Sequence, residues 1–243
     1  MNILSPKTFR KYISNVLIFI VICSIISVCK FGESKAVSLE QYPTNFGDKN
    51  ANAVSFMINV YEGEEYVREM LDILDRYGFK GTFFVGGSYI ASRESLLKEI
   101  LSRGHELGNH GTTHKDLNGV KEETQIAEIK NCHNIVLATT GFKMSIFTPA
   151  SGSFDDKTVK AAESLGYKTV LWTYDTIDWR DKNVDLIVSR ATKDLKSGNI
   201  ILMHPKQHTV KALSQICEII KNKGLTAITV SQNVGNYGKV NNV

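Results

Sequence analysis

Apolar strand-like segments alternate with amphipathic helical segments along most of the chain, and this alternation limits the folds that it can adopt. Strands are predicted first at AVSFMINV (Ala53–Val60) and then at GTFFVGG, HELGNH, SIFTPA, KTVLWTYD, NIILMHP and TAITVS. Helices are predicted at Glu64–Tyr77, in SRESLLKEILSRG, and near residues 122–139, 155–165, 184–196 and 210–223. Nearly continuous apolar strands separated by helices are typical of a parallel sheet covered by helices. We therefore predict a single-domain α/β fold, and at this length a closed or nearly closed barrel in preference to an open sheet.

The first 36 residues are typical of an export signal. A basic start precedes the apolar run NVLIFIVICSIISV, which is shorter than the ~20 residues of a membrane-spanning helix. Ser34-Lys35-Ala36 then offers small residues at the spacing that a signal peptidase reads. We predict that residues 1–36 are a signal peptide cleaved after Ala36, with one retained N-terminal membrane anchor as the alternative. Either way, the basic flank places the rest of the protein outside the membrane, either extracellular or anchored to its outer side.

The rest of the chain is electrically balanced. The net charge of +4 equals the excess of basic residues within the first 36, so no basic stripe is left to bind nucleic acid. We predict a linker over residues 37–50, a folded domain over residues 51–235 and a polar tail over residues 236–243. Cys132 and Cys217 lie in helical patterns, which favours two buried free thiols over a disulfide. We expect a monomer.

Polar residues and one proline stand where five of the predicted strands end. In chain order, they are Asn59, His110, Pro149, Asp178 and His204. Because the chemistry of parallel α/β folds gathers at the carboxyl ends of the strands, these positions predict a functional site. His110 and His114 are four residues apart. The pair can bind one divalent metal if their loop curls like a helical turn, although a surface histidine pair has the same spacing.

With these positions in order, the sequence resembles the polysaccharide deacetylase family, the NodB-homology carbohydrate esterases, from about residue 51 to residue 231. KGTFFVGG and RGHELGNHGTTH are similar to the family's second strand and its histidine motif, and PASGSF, DTIDW and LMH to three later motifs. The resemblance implies a distorted (β/α) barrel of the NodB-homology type. It also implies metal-dependent removal of acetyl groups from an N-acetylated or O-acetylated polysaccharide, such as cell-wall peptidoglycan or a surface glycan, with zinc as the usual metal.

Carried over motif by motif, the resemblance assigns roles to particular side chains. It places the metal on His110 and His114. The candidates for a third ligand are Tyr61, Glu62, Glu64, Glu65 and water. His204 would protonate the leaving amine, and Asp178 would orient His204 and tune its charge.

Three further residues are implied in substrate binding. Trp179 would wall the sugar groove, Leu202 would contact the acetyl methyl group, and Pro149 belongs to the proline–glycine motif. Structural roles remain open for some of these residues: Trp179 and Leu202 as core, and Asp178 as the cap of the helix near Val184 or the partner of Arg180. Of the remaining histidines, His105 is predicted to pack at a strand start, and His133 and His208 to lie at the surface.

Two motifs depart from the family pattern. The family usually carries two aspartates after its first strand, one the catalytic base and one a metal ligand. Counting back from the first helix places Asn59 at the base position and Val60 or Tyr61 at the second aspartate. Thr148 replaces the arginine that pairs with the base. Asn cannot accept a proton at neutral pH, and a buried Arg without its carboxylate would be an unpaired charge. Losing both together indicates a remodelled site.

Three hypotheses follow. The first is a working deacetylase with another base, such as Glu62, Glu64 or Glu65. The second is a hydrolase in which metal-bound hydroxide attacks without a protein base, since the base contributes about 10²–10⁴-fold. The third is a catalytically silent carbohydrate-binding protein of the same fold. The sequence favours a hydrolase, with the binding protein as the alternative.

Overall fold

The computed structural model describes residue 16, residues 18–20 and residues 42–235. The proposed cleavage point and the tail over residues 236–243 lie outside these ranges. Within them, no helix has the length and apolar character needed to cross a membrane. Contacts divide the chain into Met1–Gln41 and Tyr42–Val243, and the description below concerns the second unit.

Eight parallel strands form one sheet in the described chain. They are β1 (Ala53–Val60), β2 (Gly81–Val85), β3 (Glu106–Asn109), β4 (Ile146–Phe147), β5 (Lys168–Thr169), β6 (Tyr174–Asp175), β7 (Ile200–Met203) and β8 (Thr226–Ala227). The strand order is β5-β4-β3-β2-β1-β7-β6, and β8 pairs with the first two residues of β1. The sheet curls into a half-barrel with helices packed on it, which confirms the predicted single-domain (β/α) barrel class.

Helices follow most strands, as predicted. They are α1 (Glu64–Tyr77), α2 (Gly87–Ile90), α3 (Glu94–Ser102), α4 (Glu122–Thr140), α5 (Asp156–Ser164), α6 (Val184–Thr192), α7 (Gln207–Asn222) and α8 (Val230–Asn233). Two of them, α2 and α8, were not expected. The predicted strand TAITVS ends early because Thr229 caps α8, its side chain accepting a hydrogen bond from the Gln232 amide.

The segment KTVLWTYD is not one strand, and that prediction is wrong. Its ends form β5 and β6, which lie at opposite edges of the sheet. The Val170 amide donates to Phe147 in β4, and the Thr173 amide donates to Ile200 in β7. The chain therefore crosses from one edge of the half-barrel to the other, and it carries Trp172 across with it.

Residues 44–48 belong to the folded domain, although they fall within the predicted linker. The Thr44 amide donates to the Thr169 carbonyl at 3.0 Å, and the Leu171 amide donates back to Thr44 at 2.8 Å. Further along, the Gly47 amide donates to Gly198 at 2.7 Å. This segment is therefore held at β5 and again just before β7.

Side chains of β1 alternate between two cores, because successive residues of a strand point to opposite faces. Phe56, Ile58 and Val60 join the large cluster formed with the helices. Met57 joins a smaller cluster with Phe84, Ile146, Val170, Ile200, Leu202 and Val230. By the same alternation, Asn59 lies on the inner face at the carboxyl end of the strand. Cys132 and Cys217 are buried free thiols, as predicted.

Gly198→Ala should destabilise the fold strongly, because Gly198 has a φ of 90° and an added Cβ would lie 2.4 Å from the Phe46 ring and 2.8 Å from the Gly47 carbonyl oxygen. Gly119→Ala is the matched control, since its φ is 72° but nothing lies within 4 Å of an added Cβ. In urea unfolding we expect the control to lose about 1 kcal/mol and Gly198→Ala about 3 kcal/mol. Equal losses would contradict the packing of residues 44–48 before β7.

Candidate functional site

Two adjoining cavities open at the carboxyl ends of the strands. The larger, about 430 Å³, is called the groove here; it is lined by Asn59, His114, Ser151, Trp172, Asp175, Trp179, Leu202 and His204. The smaller, about 40 Å³, is lined by Asn59, Tyr61, Glu62, His110, His114, His204 and Pro205. The two cavities share Asn59, His114 and His204, which come from three separate strand ends. The structure thus brings together most of the side chains that the sequence singles out.

Pro149 is the exception among the expected substrate-binding residues. It is buried, lines neither cavity, and precedes a short 3₁₀ turn over Ala150–Gly152. That turn instead presents Ser151, and Gly152 makes room for Trp172, whose ring would lie 2.6 Å from an added Cβ. Ser151, Trp172 and Asp175 were missed in the sequence, although Asp175 is the first residue of the recognised DTIDW motif and Trp172 lies three residues before it.

The loop after β3 brings His110 and His114 together, with ring centroids 5.1 Å apart. His110 Nδ1 lies 2.9 Å from the Thr148 carbonyl oxygen, so Nδ1 carries the proton and Nε2 is free. Glu128 of α4 holds the loop: its Oε2 accepts from the amides of Thr112 and Thr113, both at 2.8 Å. The two histidine side chains therefore lie together, but their loop is a bend with His114 at a φ of 56° and not the helical turn considered from the sequence.

Both histidines are neutral at physiological pH. Burial lowers the pKa of His110 from 6.5 to about 3, and burial also lowers the pKa of His114. A neutral imidazole with a fixed tautomer suits metal binding. These two side chains could supply two ligands of the expected set.

Tyr61 occupies the position next to the histidines where a further ligand would be needed. Its ring packs edge-on against His114, with centroids 4.7 Å apart, and against His110 at 5.8 Å. Its hydroxyl donates to the Gly111 carbonyl oxygen at 3.4 Å, and Gly86 leaves the space that the ring fills. Burial raises the pKa of Tyr61, so the phenol keeps its proton. Val60, the alternative for this position, lies in the large core.

The acidic residues that follow Tyr61 do not complete a metal site. Glu62 pairs with Lys206, Glu64 pairs with Arg68 and Arg93, and Glu65 is exposed. Across the described residues, no group of three or more His, Cys, Asp or Glu side chains is placed to hold a metal. The residues present therefore do not fit the three-ligand metal site that the family resemblance implies.

Asn59 and Thr148, which the family resemblance aligns with the base and its arginine, are both uncharged. Asn59 is 6% exposed and Thr148 is fully buried. Asn59 Oδ1 and Thr148 Oγ1 are both buried without a hydrogen-bond partner among the described residues. A buried polar atom left unsatisfied costs about 1–3 kcal/mol. This part of the site thus contains two buried oxygens that can still form hydrogen bonds, and it contains no pair of opposite charges.

Asp178 and His204 form the intact part of the site. One Asp178 oxygen lies 2.8 Å from His204 Nδ1, and the other accepts from the His204 amide and the Thr209 hydroxyl, both at 2.7 Å. Burial would raise the pKa of Asp178, but these hydrogen bonds and the charge of His204 outweigh it and lower the pKa. His204 Nε2 is then the ring nitrogen available to the groove.

The structure rejects the simpler roles considered for Asp178. Asn183, and not Asp178, caps α6, and Arg180 pairs with Asp181. Trp179 is 56% exposed at the groove, so it is not core, whereas Leu202 is 3% exposed and serves as both core and groove floor.

The remaining histidines lie outside the two cavities. His105 packs at the start of β3, where its Nδ1 accepts from the Gly81 amide at 3.1 Å, as expected. His133 and His208 are partly buried, which corrects their predicted surface position. His133 contacts the Tyr167 hydroxyl, and His208 Nε2 lies 2.8 Å from the Asp178 carbonyl oxygen.

Comparison with known proteins agrees with this arrangement. A family model for polysaccharide deacetylase matches residues 47–170. The chain is 34% identical over 195 residues to the uncharacterized protein YlxY of Bacillus subtilis, a match that covers 80% of this chain and 61% of YlxY. It is 32% identical over 173 residues to a peptidoglycan-N-acetylglucosamine deacetylase of Bacillus cereus, covering 69% of this chain and 81% of that protein.

Similar solved structures include a protein described as lacking the family's activity. A CE4 family pseudoenzyme from Bacillus anthracis is 31% identical with a TM-score of 0.77, covering 80% of this chain and 69% of that chain. A mutant of that pseudoenzyme with restored enzymatic activity is 30% identical with a TM-score of 0.77, covering 80% and 72%.

Acid should destabilise the protein through His110. Between pH 6.5, its ordinary pKa, and the folded value of about 3, the unfolded chain binds a proton that the folded chain does not. His110 should therefore lower the free energy of unfolding by about 1.4 kcal/mol for each unit by which the pH drops within this range. Above pH 6.5, His110 should have no such effect. We expect urea unfolding from pH 7 to pH 4 to show a shallower slope for His110→Asn than for wild type. Identical slopes would contradict a buried neutral His110.

Proposed function

This chain belongs to the polysaccharide deacetylase family, and from that premise we propose that it binds an acetylated cell-wall glycan in its groove without hydrolysing it efficiently. The observation that carries this proposal is Tyr61, which packs against both His110 and His114 where a metal ligand would be needed. Relatives named for their action on peptidoglycan support that polymer as the ligand. The leader sequence supports export, with the protein outside the membrane.

The groove suits a sugar chain. Its volume of about 430 Å³ lies within the range of small-molecule sites, which combine apolar walls with a few polar groups. Trp179 offers a largely exposed aromatic face at the rim, and Trp172 and Leu202 add apolar surface. Ser151 and Asp175 add polar groups for sugar hydroxyls.

The site lacks the proton acceptor that hydrolysis of the acetyl group requires. Asn59 holds the base position, and a carboxamide cannot take a proton from water at neutral pH. General-base assistance is worth about 10²–10⁴-fold. Of the other candidate bases, Glu62 and Glu64 are engaged in ion pairs, and Glu65 is exposed. These contacts favour binding over turnover.

A slow hydrolase is the second candidate, and the intact Asp178–His204 pair favours it. Asp178 fixes the ring of His204 at 2.8 Å and directs Nε2 to the groove. A protonated His204 in this orientation can pass a proton to the leaving amine of a bound acetamide. Proton donation to the leaving amine therefore remains available, although the group that would accept a proton from water is absent.

Restoring three residues should create deacetylase activity. We expect no acetate release by wild type from acetylated chito-oligosaccharides or peptidoglycan with added zinc, cobalt or manganese. Asn59→Asp supplies a base, Thr148→Arg supplies its cationic partner, and Tyr61→Asp supplies a third ligand beside His110 and His114. Asn59→Asp alone should help modestly, the double variant more, and the triple variant most, with non-additive gains because the residues act as a unit.

The same series separates the two candidate functions. Metal analysis should find no stoichiometric divalent ion in the purified wild type, and a bound equivalent in the triple variant. His204→Asn in the triple background should remove the gained activity while leaving the metal in place. A fast wild type that Asn59→Asp slows would overturn the binding-protein proposal, and Glu62→Gln would then be the first variant to test.

Trp179→Ala should weaken glycan binding by about tenfold, because a bound sugar would bury part of the exposed indole face, and losing about 55 Å² of that burial costs about 1.4 kcal/mol. Calorimetric titration with acetylated chito-oligosaccharides measures the change. Leu186→Ala is the matched control, since Leu186 is also exposed but lines neither cavity. Equal affinities of Trp179→Ala and wild type would exclude the groove as the binding site.

A further inference from the structure

The side chain of Asn59 lies where the groove and the smaller cavity meet. Leu202 lines the same groove and pairs in register with Met57, two residues before Asn59 on the inner face of β1. Asn59 is 6% exposed and Leu202 is 3% exposed. A group that enters the groove therefore meets both a carboxamide and an apolar side chain.

Asn59 Oδ1 is a buried acceptor without a hydrogen-bond partner among the described residues. The same carboxamide also carries two N–H donors. An unsatisfied buried acceptor gains more from a ligand donor than an exposed one does, because its desolvation cost is already present in the free protein. The position therefore favours a ligand that donates one hydrogen bond and accepts another.

An acetamido group has this chemistry. Its N–H can donate to Asn59 Oδ1, its carbonyl oxygen can accept from an N–H donor, and its methyl group matches the apolar surface of Leu202. A deacetylated sugar instead brings an ammonium group, which has donors only and a full charge. Burying that charge without a carboxylate partner is costly.

The charged groups near this point do not offset that cost. His110 and His114 are imidazoles, which carry no negative charge in either protonation state. Glu62 is paired with Lys206. Asp175, the carboxylate that lines the groove, already accepts from the Ile177 amide at 2.7 Å and lies 3.5 Å from the Trp179 ring nitrogen.

We propose that Asn59 is a specificity-determining residue that makes the groove prefer sugars whose amino group still carries its acetyl group. The inference rests on the proposed function, because it requires the groove to bind a glycan. An aspartate at the same position would present only acceptors and a negative charge. Replacement of the family's Asp by Asn thus changes a catalytic position into a position that recognises the intact acetamide.

The test compares two chito-oligosaccharides of equal length, one fully acetylated and one fully deacetylated, titrated calorimetrically into the full chain at pH 6 with EDTA present. Wild type should bind the acetylated oligomer at least about tenfold more tightly. Asn59→Asp should weaken that binding about tenfold and strengthen binding of the deacetylated oligomer, which reverses the preference. Asn59→Leu, which is neutral and cannot form hydrogen bonds, should lose affinity for the acetylated oligomer without gaining it for the other.

Leu186→Ala, which lies outside both cavities, is the control and should leave the affinities for both oligomers unchanged. Circular dichroism of each variant establishes that the fold is retained, and Asn59→Leu tests the same preference without a buried charge. If wild type binds both oligomers equally, or if both Asn59 variants keep the wild-type ratio, the inference is wrong and the proposed glycan binding still stands. If wild type binds neither oligomer, nor acetylated peptidoglycan, both proposals are wrong.

Discussion

The pairing of β1 on both sides is the constraint on which the fold and the site depend. This strand pairs with β2, β7 and β8, and all eight of its residues are buried. Its outer face packs against the helices, and its inner face carries Met57 and ends at Asn59. Because β7 pairs with β1 directly and β3 is joined to it through β2, the carboxyl ends of β3 and β7 bring the histidines to the place where Asn59 lies.

The differences from the family's pattern compensate one another physically. The family resemblance aligns Asn59 and Thr148 with a base and its arginine, and because both are uncharged, no buried charge is left without a partner there. A ligand position is taken by the Tyr61 ring, which fills space above Gly86 and packs on both imidazoles. Asn59 Oδ1 and Thr148 Oγ1 remain without hydrogen-bond partners among the described residues. A folded domain of this size tolerates the free-energy cost of two such atoms. The remodelled site therefore stays compatible with a stable barrel.

The sequence predicts those parts of the molecule that depend on local spacing. The proximity of His110 to His114 and the positions of His204 and Asp178 follow from motifs at strand ends. The path of KTVLWTYD does not, because an apolar run cannot show that its two halves pair with opposite edges of the sheet. Trp172 was missed for the same reason, since that crossing brings it to the groove, whereas Ser151 reaches the groove on the 3₁₀ turn after Pro149. The choice between Val60 and Tyr61 also needed the structure, because it depends on which side chain faces inward.

The retained Asp178 need not imply retained catalysis. Its carboxylate accepts three hydrogen bonds, from the His204 amide, His204 Nδ1 and the Thr209 hydroxyl. These bonds tie the segment after β6 to the end of β7 and to the first turn of α7. Removing the carboxylate would leave buried donors unpaired, at about 1–3 kcal/mol for each. The structural role of Asp178 is therefore enough to account for the retention of this half of the site. Asn59 Oδ1 accepts no hydrogen bond from the described residues, so no such structural role holds Asn59 in place. Asn59 is thus the position where a change of ligand preference can arise.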